Sequence, residues 1–380
     1  MRSARTRTPE TALRQVLGGF SLIELLVAMT LGLLLTSGMI SVFAGNRASS
    51  ELNAAIANMQ ESARFALDAI ATDTRSAGFQ GCIGVQSGQT VIQAADAPTG
   101  DFMASAATGS VVDANDDWTP APPLTFVEDD HTAVAGTHTI SLQFGESDVY
   151  LLAEEMADGG GPTPNANLTL RRPMLAAAVG DLALISNCEQ ADLFAISQLK
   201  AGSTVLQHKA PYNTSGSLSN AYGNERTLSQ TAVMLFRSNV YYVGDTQQDN
   251  EAGGDIRALY RQALPFGEPD DNPPTELVTG VENLRVSFGM RLNDGSLRYV
   301  AADDAAFDAT RVESIKIGLL MVSRDEVASM DDQKTYILAG QAVPPAAGPG
   351  DNTGATHPVD RRHRLVFNTT VKIRNRRFRS

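Results

Sequence analysis

The feature that most constrains this chain is an apolar run close to its start. From Phe20 to Ala44 the only charged residue is Glu24, within "GGFSLIELLVAMTLG". As a helix the run extends about 37 Å, enough to cross a hydrocarbon core of about 30 Å. The segment before it, Met1–Gly19, carries Arg2, Arg5, Arg7 and Arg14 against a single acid, Glu10. That asymmetry places the N-terminus in the cytoplasm and the remainder across the membrane, in the periplasm if the cell is bacterial.

Glu24 needs an explanation, because a carboxylate in hydrocarbon costs roughly 2.5–3.5 kcal/mol on insertion scales unless it is compensated. A cleaved secretory signal ending at Val42-Phe43-Ala44 conflicts with the length of the run, since such regions usually hold only about 7–15 apolar residues. A plain single-pass anchor accounts for the length and leaves Glu24 without a partner. Cleavage after Gly19 supplies one: Phe20 becomes a new N-terminus with an α-amino charge, and the carboxylate of one subunit neutralises the terminus of its neighbour. The buried acid is then a device for registering subunits.

The basic leader, the Gly19-Phe20 pair, Glu24 at that offset and the long apolar helix together resemble the class III signal of type IV pilins and pseudopilins. The resemblance implies that a dedicated prepilin peptidase cuts after Gly19 and methylates Phe20, and that Glu24 acts in assembly. Many major pilins also carry a proline part-way along this helix. Here the neighbourhood is Thr36–Phe43, and Gly32 and Gly38 are the residues that could loosen the helix instead.

Beyond Ala44 the pattern turns amphipathic. Leu52, Ile56, Met59, Ala63, Leu67 and Ile70 recur at three- and four-residue steps, with charged residues between them, until Gly78 offers a stop. One helix over Phe20–Ala77 is expected. From Phe79 onward the sequence reads as strands and loops, with strands expected at 138–144, 181–186, 192–197, 203–208, 233–243, 284–292, 314–322 and 364–375. Loops are expected at 95–123, 155–166, 266–275 and 341–359, and the second of these could divide the head. The fold class is therefore α+β and pilin-like, with a long N-terminal helix on a β-rich head. Its parts are a cleaved leader (1–19), a transmembrane or filament-core helix (20–44), an amphipathic helix (45–78) and a periplasmic or extracellular head (79–380).

Cys82 and Cys188 are the only cysteines. In an oxidising compartment they are expected to pair, the alternative being two buried thiols. The stretches "SARFALDAIATDTRSAGFQGC" (62–82), "GDLALISNCEQADLFAIS" (180–197), "LVTGVENLRVSFGM" (277–290) and "RLVFNTTVKIRNR" resemble the PilW-type minor pilins of the type IV pilus assembly machinery. In that branch a cysteine soon after the helix and another after "GDLALISN" recur. The resemblance thus implies a Cys82–Cys188 disulfide.

Composition narrows the chemistry. A hydrophobic content of 43% with 19% charged residues fits a folded protein. The net charge is −13, yet Arg361–Ser380 holds eight Lys or Arg and no acid. The stretch 20–360 therefore carries 18 basic and 42 acidic residues, a poor surface for nucleic acid or anionic lipid. His131, His138, His208, His357 and His363 form no metalloprotease motif, and there is no nucleophile elbow or phosphate loop. "DANDDW" (113–118) places Asp113, Asn115 and Asp117 like early EF-hand ligands. However, Trp118 replaces the required glycine and Leu124 the bidentate acid, so a solvated loop is expected. The "EDD" (128–130) and "PDDNPP" (269–274) stretches read as exposed turns. The basic C-terminus alternates as a strand, with a contact to an acidic neighbour as a second reading.

No catalytic residue, cofactor or metal is expected. The resemblance implies the function of a minor pilin that primes type IV pilus assembly at or near the tip. Its partners would be other minor and major pilins, the prepilin peptidase and the inner-membrane assembly platform. A pseudopilin of a type II secretion system shares the N-terminal physics. A membrane-tethered surface-binding protein is a rival of another class, and a periplasmic hydrolase ranks last.

Overall fold

The computed structural model describes residues 21–83, 90–95, 106–115, 117–121, 132–263, 273–348 and 355–375. Helix α1 runs unbroken over Leu22–Ser76. It is rich in Leu, Ala, Met and Glu and contains no proline, so nothing in its interior opposes helix. The chain divides into two compact units, one up to Asn53 and the other from Ala54 to the C-terminus.

In the first unit the helix side chains are exposed as far as Glu51, including Leu22, Ile23, Leu33, Leu34, Leu35, Ile40 and Phe43. This segment is long and apolar enough to cross a membrane.

In the second unit the helix buries Met59, Ala63, Ala66, Ile70, Ala71 and Thr74. The stripe is narrower and richer in alanine than the expected one, and Ile56 and Leu67 only flank it. Small residues here let the helix axis come close to the strands beneath. The helix ends where Gly78 adopts φ +73°, a left-handed conformation that glycine takes without penalty. The Gly78 N–H donates to the Gln143 carbonyl at 2.9 Å. The last carbonyls of the helix, those of Arg75, Ser76 and Ala77, accept from the Asn375 side-chain amide at 3.0–3.3 Å.

The strands follow in chain order. β1 (Thr90–Ile92), β2 (Ala107–Thr108), β3 (Val111–Val112) and β4 (Trp118–Thr119) are short. β5 (Ile140–Gly145), β6 (Tyr150–Leu151), β7 (Leu168–Thr169), β8 (Leu182–Ser186), β9 (Ala191–Ala195), β10 (Gln198–Leu199) and β11 (Val205–Gln207) come next. β12 (Ala232–Asp249), β13 (Asp255–Ala263), β14 (Thr275–Thr279), β15 (Val281–Arg291) and β16 (Leu297–Val300) follow. The last are β17 (Val312–Glu326), β18 (Tyr336–Leu338), β19 (Gln341–Val343) and β20 (Arg362–Lys372).

The larger sheet has nine strands along the path β1-β9-β8-β12-β13-β14, with β5 and β6 also paired to β12 and β2 to β5. β12 is its spine. Its first residues pair with β8 and β6, and its later ones with β5 and β13. The smaller sheet has the order β16-β15-β17-β20. The helix stripe shares one core with β5, β12, β13, β15 and β17, including Leu142, Tyr241, Phe288 and Ile317. The β18–β19 hairpin packs Leu338 and Val343 with Leu320 of β17. Gly318 makes that approach possible, because a Cβ there would stand 2.6 Å from the Ala339 nitrogen.

Cys82 and Cys188 form a disulfide across a separation of 106 residues. It ties the turn after the helix to the loop between β8 and β9. A crosslink closing so long a loop is worth typically about 2–4 kcal/mol, chiefly by restricting the unfolded chain. Reducing it, or replacing both cysteines by serine, is expected to lower the unfolding free energy by about that amount. Denaturant unfolding of the full chain in detergent, with and without reductant, measures the difference.

Candidate assembly site

The N-terminal turn of α1 is a capping box. The Ser21 N–H and hydroxyl donate to Glu24 Oε2 at 3.0 and 3.1 Å, and the Glu24 N–H donates to Ser21 Oγ at 3.2 Å. Glu24 therefore has a local partner, which the plain-anchor reading denied it. The Ser-x-x-Glu spacing of "SLIE" carried that signal. Two hydroxyl and amide donors to one oxygen ease the cost of the carboxylate but leave its charge unneutralised, and Oε1 meets no partner among the described residues. The expected processing positions, Gly19 and Phe20, lie outside the described residues, as do the rest of the leader, Asp116, Leu124 and His131.

The other end of α1 is fixed by charge. Asp73 accepts from Asn239 Nδ2 at 2.7 Å and from the Tyr241 hydroxyl at 2.6 Å, both on β12. Burial, reinforced by the Asp73 carboxylate, pushes the Tyr241 phenol well above its ordinary range, so it remains a donor. In the sequence Asp73 reads only as one of the charged residues between the apolar positions of the helix.

A buried ionic cluster sits where β15, β20 and the loop before β20 meet. Arg364 donates to both oxygens of Glu282 at 2.6 and 3.0 Å and to Asp360 at 2.8 Å. Arg362 donates to Asp360 at 2.6 Å and stands 3.4 Å from Glu282. Burial works against the charge on Asp360, but its bonds to Arg364 and Arg362 prevail and hold its pKa below 3.8. Asp332 is lowered in the same way: burial opposes its charge, and Tyr336, the Lys334 amide and Arg364 outweigh it.

Of the remaining candidate histidines, His138, His208 and His357 are buried. His138 is buried, and burial, aided by Arg285, takes its pKa down to about 3. His208 is lowered by burial and bonds the Ala166 carbonyl at 2.9 Å. His357 lies between the carbonyls of Pro358 and Lys334 at 2.9 and 2.7 Å. Asp113 accepts from the Asn115 and Asp117 amides, which makes the acidic loop the turn of the β3–β4 hairpin. No group of three or more His, Cys, Asp or Glu among the described residues is placed to hold a metal. A cavity of about 280 Å³ borders Asp255, Arg257, Glu326 and Arg362. Two of its acids, Glu326 and Asp360, are already engaged by Arg361, Arg362 and Arg364.

An apolar N-terminal helix whose second half packs on a β-rich head defines a pilin-like α+β fold. Residues 240–375 match the family model described as PilW: Type IV Pilus-assembly protein W. The matched stretch begins within β12 and ends just beyond β20. No curated protein and no solved structure matches the chain.

Two outcomes follow from this geometry. Asp73→Ala leaves two donors in the helix–sheet contact without their acceptor and is expected to cost about 2–4 kcal/mol, with Asp73→Asn milder. Denaturant midpoints of the variants read this. The lowered pKa of Asp360 means that its contribution to stability is complete above its unfolded value, 3.8, and is lost as pH falls through the lower folded value. Unfolding midpoints measured from neutral pH down to about pH 3 are expected to drop at the acid end, and Asp360→Asn to flatten part of that drop.

Proposed function

We propose that this protein is a minor pilin, inserted in the inner membrane by its N-terminal helix with the head in the periplasm. It is cleaved after Gly19 and then packed with other pilins. The observation that carries this reading is the helix itself: apolar, exposed from Leu22 to Phe43, and charged only at Glu24 in its first turn. A helix of that composition is satisfied by lipid or by other apolar helices, not by water. Glu24 Oε2 holds the cap, and Oε1 is the acceptor for the α-amine of a neighbouring Phe20. In this reading the subunit joins other minor pilins in priming assembly at or near the pilus tip. The prepilin peptidase and the inner-membrane assembly platform are its further partners. The match to a type IV pilus-assembly family favours this machine over a type II secretion pseudopilin.

Glu24→Ala is expected to leave membrane insertion and the head intact while lowering incorporation into pili at least tenfold. Immunoblots of sheared pili against whole membranes measure it, and undiminished incorporation would sink the proposal. Glu24→Gln keeps the cap geometry without the charge and is expected to fail similarly.

A further inference from the structure

β20 forms one edge of the four-stranded sheet. It pairs with β17 in an unshifted register from Ser314↔Lys372 to Val322↔Arg364. One step further the Ile373 N–H donates to the Glu313 carbonyl at 2.8 Å, while the Val322 N–H donates in the other direction, to Gly280, at 2.9 Å. Bonding direction alternates along an antiparallel ladder. The odd-numbered residues of β20 therefore face β17. Val366, Asn368, Thr370 and Lys372 turn their backbone N–H and C=O groups outward. Among the described residues none of these outward backbone groups meets a partner.

Natural sheets blunt such edges with short strands, bulges, proline or charged side chains such as lysine, and β20 carries no charge from Leu365 to Val371. The opposite edge, β16, has four residues, and β14 of the larger sheet has five. β20 has eleven, with no proline and no shift between Arg364 and Lys372. Its side chains are also unfinished. Leu365 and Phe367 are half-buried against the main core, and Val366 is half-buried against the hairpin on the other face. A further strand would complete the cover on both sides.

Charge indicates what that strand carries. Lys372 and Arg374 are exposed and join no ion pair among the described residues, unlike Arg361, Arg362 and Arg364. No acid occurs between Arg361 and the C-terminus, so a second copy of β20 would bring only more positive charge. We propose that the outer edge of β20 is a strand-acceptor site for an extended, acidic segment of a different protein. Main-chain bonds to residues 366–372 supply the affinity, and Lys372 and Arg374 select the charge.

The test replaces Thr370 by a photo-crosslinking benzophenone amino acid in the full-length chain and irradiates the cells that make it. The same probe at Glu276 of β14 is the reference. The expected result is an adduct with another protein, at least tenfold stronger than at the reference site, mapping to an acid-rich segment. Lys372→Glu with Arg374→Glu is expected to weaken it at least fivefold. In a separate arm, Thr370→Pro removes one outward N–H and no ladder bond. It is expected to reduce co-purification of the adducted protein at least tenfold while the disulfide and protease resistance persist. The idea is overturned by an adduct no stronger than the reference, by one formed only with a second copy, or by one indifferent to charge reversal. The readout is the adduct and not piliation, so it stands or falls apart from the pilus reading.

Discussion

One stripe of helix, Met59, Ala63, Ala66 and Ile70, organises the head. Alanine at its centre lets α1 lie against strands from both sheets, so the two sheets share one core through it. At its C-terminal end the contact becomes polar and specific. Asp73 takes two donors from β12, Gly78 bonds to Gln143, and Asn375 satisfies the last carbonyls. A residue from just beyond the last strand thus caps the first helix, which closes the head by joining its two ends.

A strongly acidic head faces self-repulsion, and the structure manages it locally. Much of the basic stretch that begins at Arg361 is not a free patch. Arg362 and Arg364 are drawn inside to pair with Glu282 and Asp360, and Arg361 is held by Glu326. Burying such a cluster is a weak source of stability in itself, because desolvation offsets much of the Coulomb gain. Its consequence is directional: it fixes β20 at the sheet edge with Lys372 and Arg374 left outside. The disulfide adds a covalent tie between the helix exit and the second core, around Phe194 and Tyr222.

Much of this was legible in the sequence, for identifiable reasons. The helix was readable because its composition changes from apolar to amphipathic without a breaker, and its end because Gly78 follows. Strands with buried β-branched and aromatic residues, such as β8, β15 and β17, stood out. β13 did not. Its "DIRALYRQA" puts Arg257 in a nearly buried position, and one such residue hides the pattern. β12 runs on to Asp249 through polar residues, because pairing with β13 and not side-chain burial sustains it. Asp73 and the ionic cluster were invisible for a common reason: a charged residue reads as surface until its partner, far away in the chain, is known. The Ser21–Glu24 box was readable and shows that part of what the carboxylate needs is supplied within its own helix.

In the proposed reading the apolar helix is an assembly element bearing a processed terminus, and not merely an anchor. The most direct test is the N-terminal residue and intact mass of the protein isolated from native membranes and from sheared pili. A chain beginning at methylated Phe20 is expected in both fractions. A chain that retains residues 1–19, or one that begins near Gly45, would contradict it.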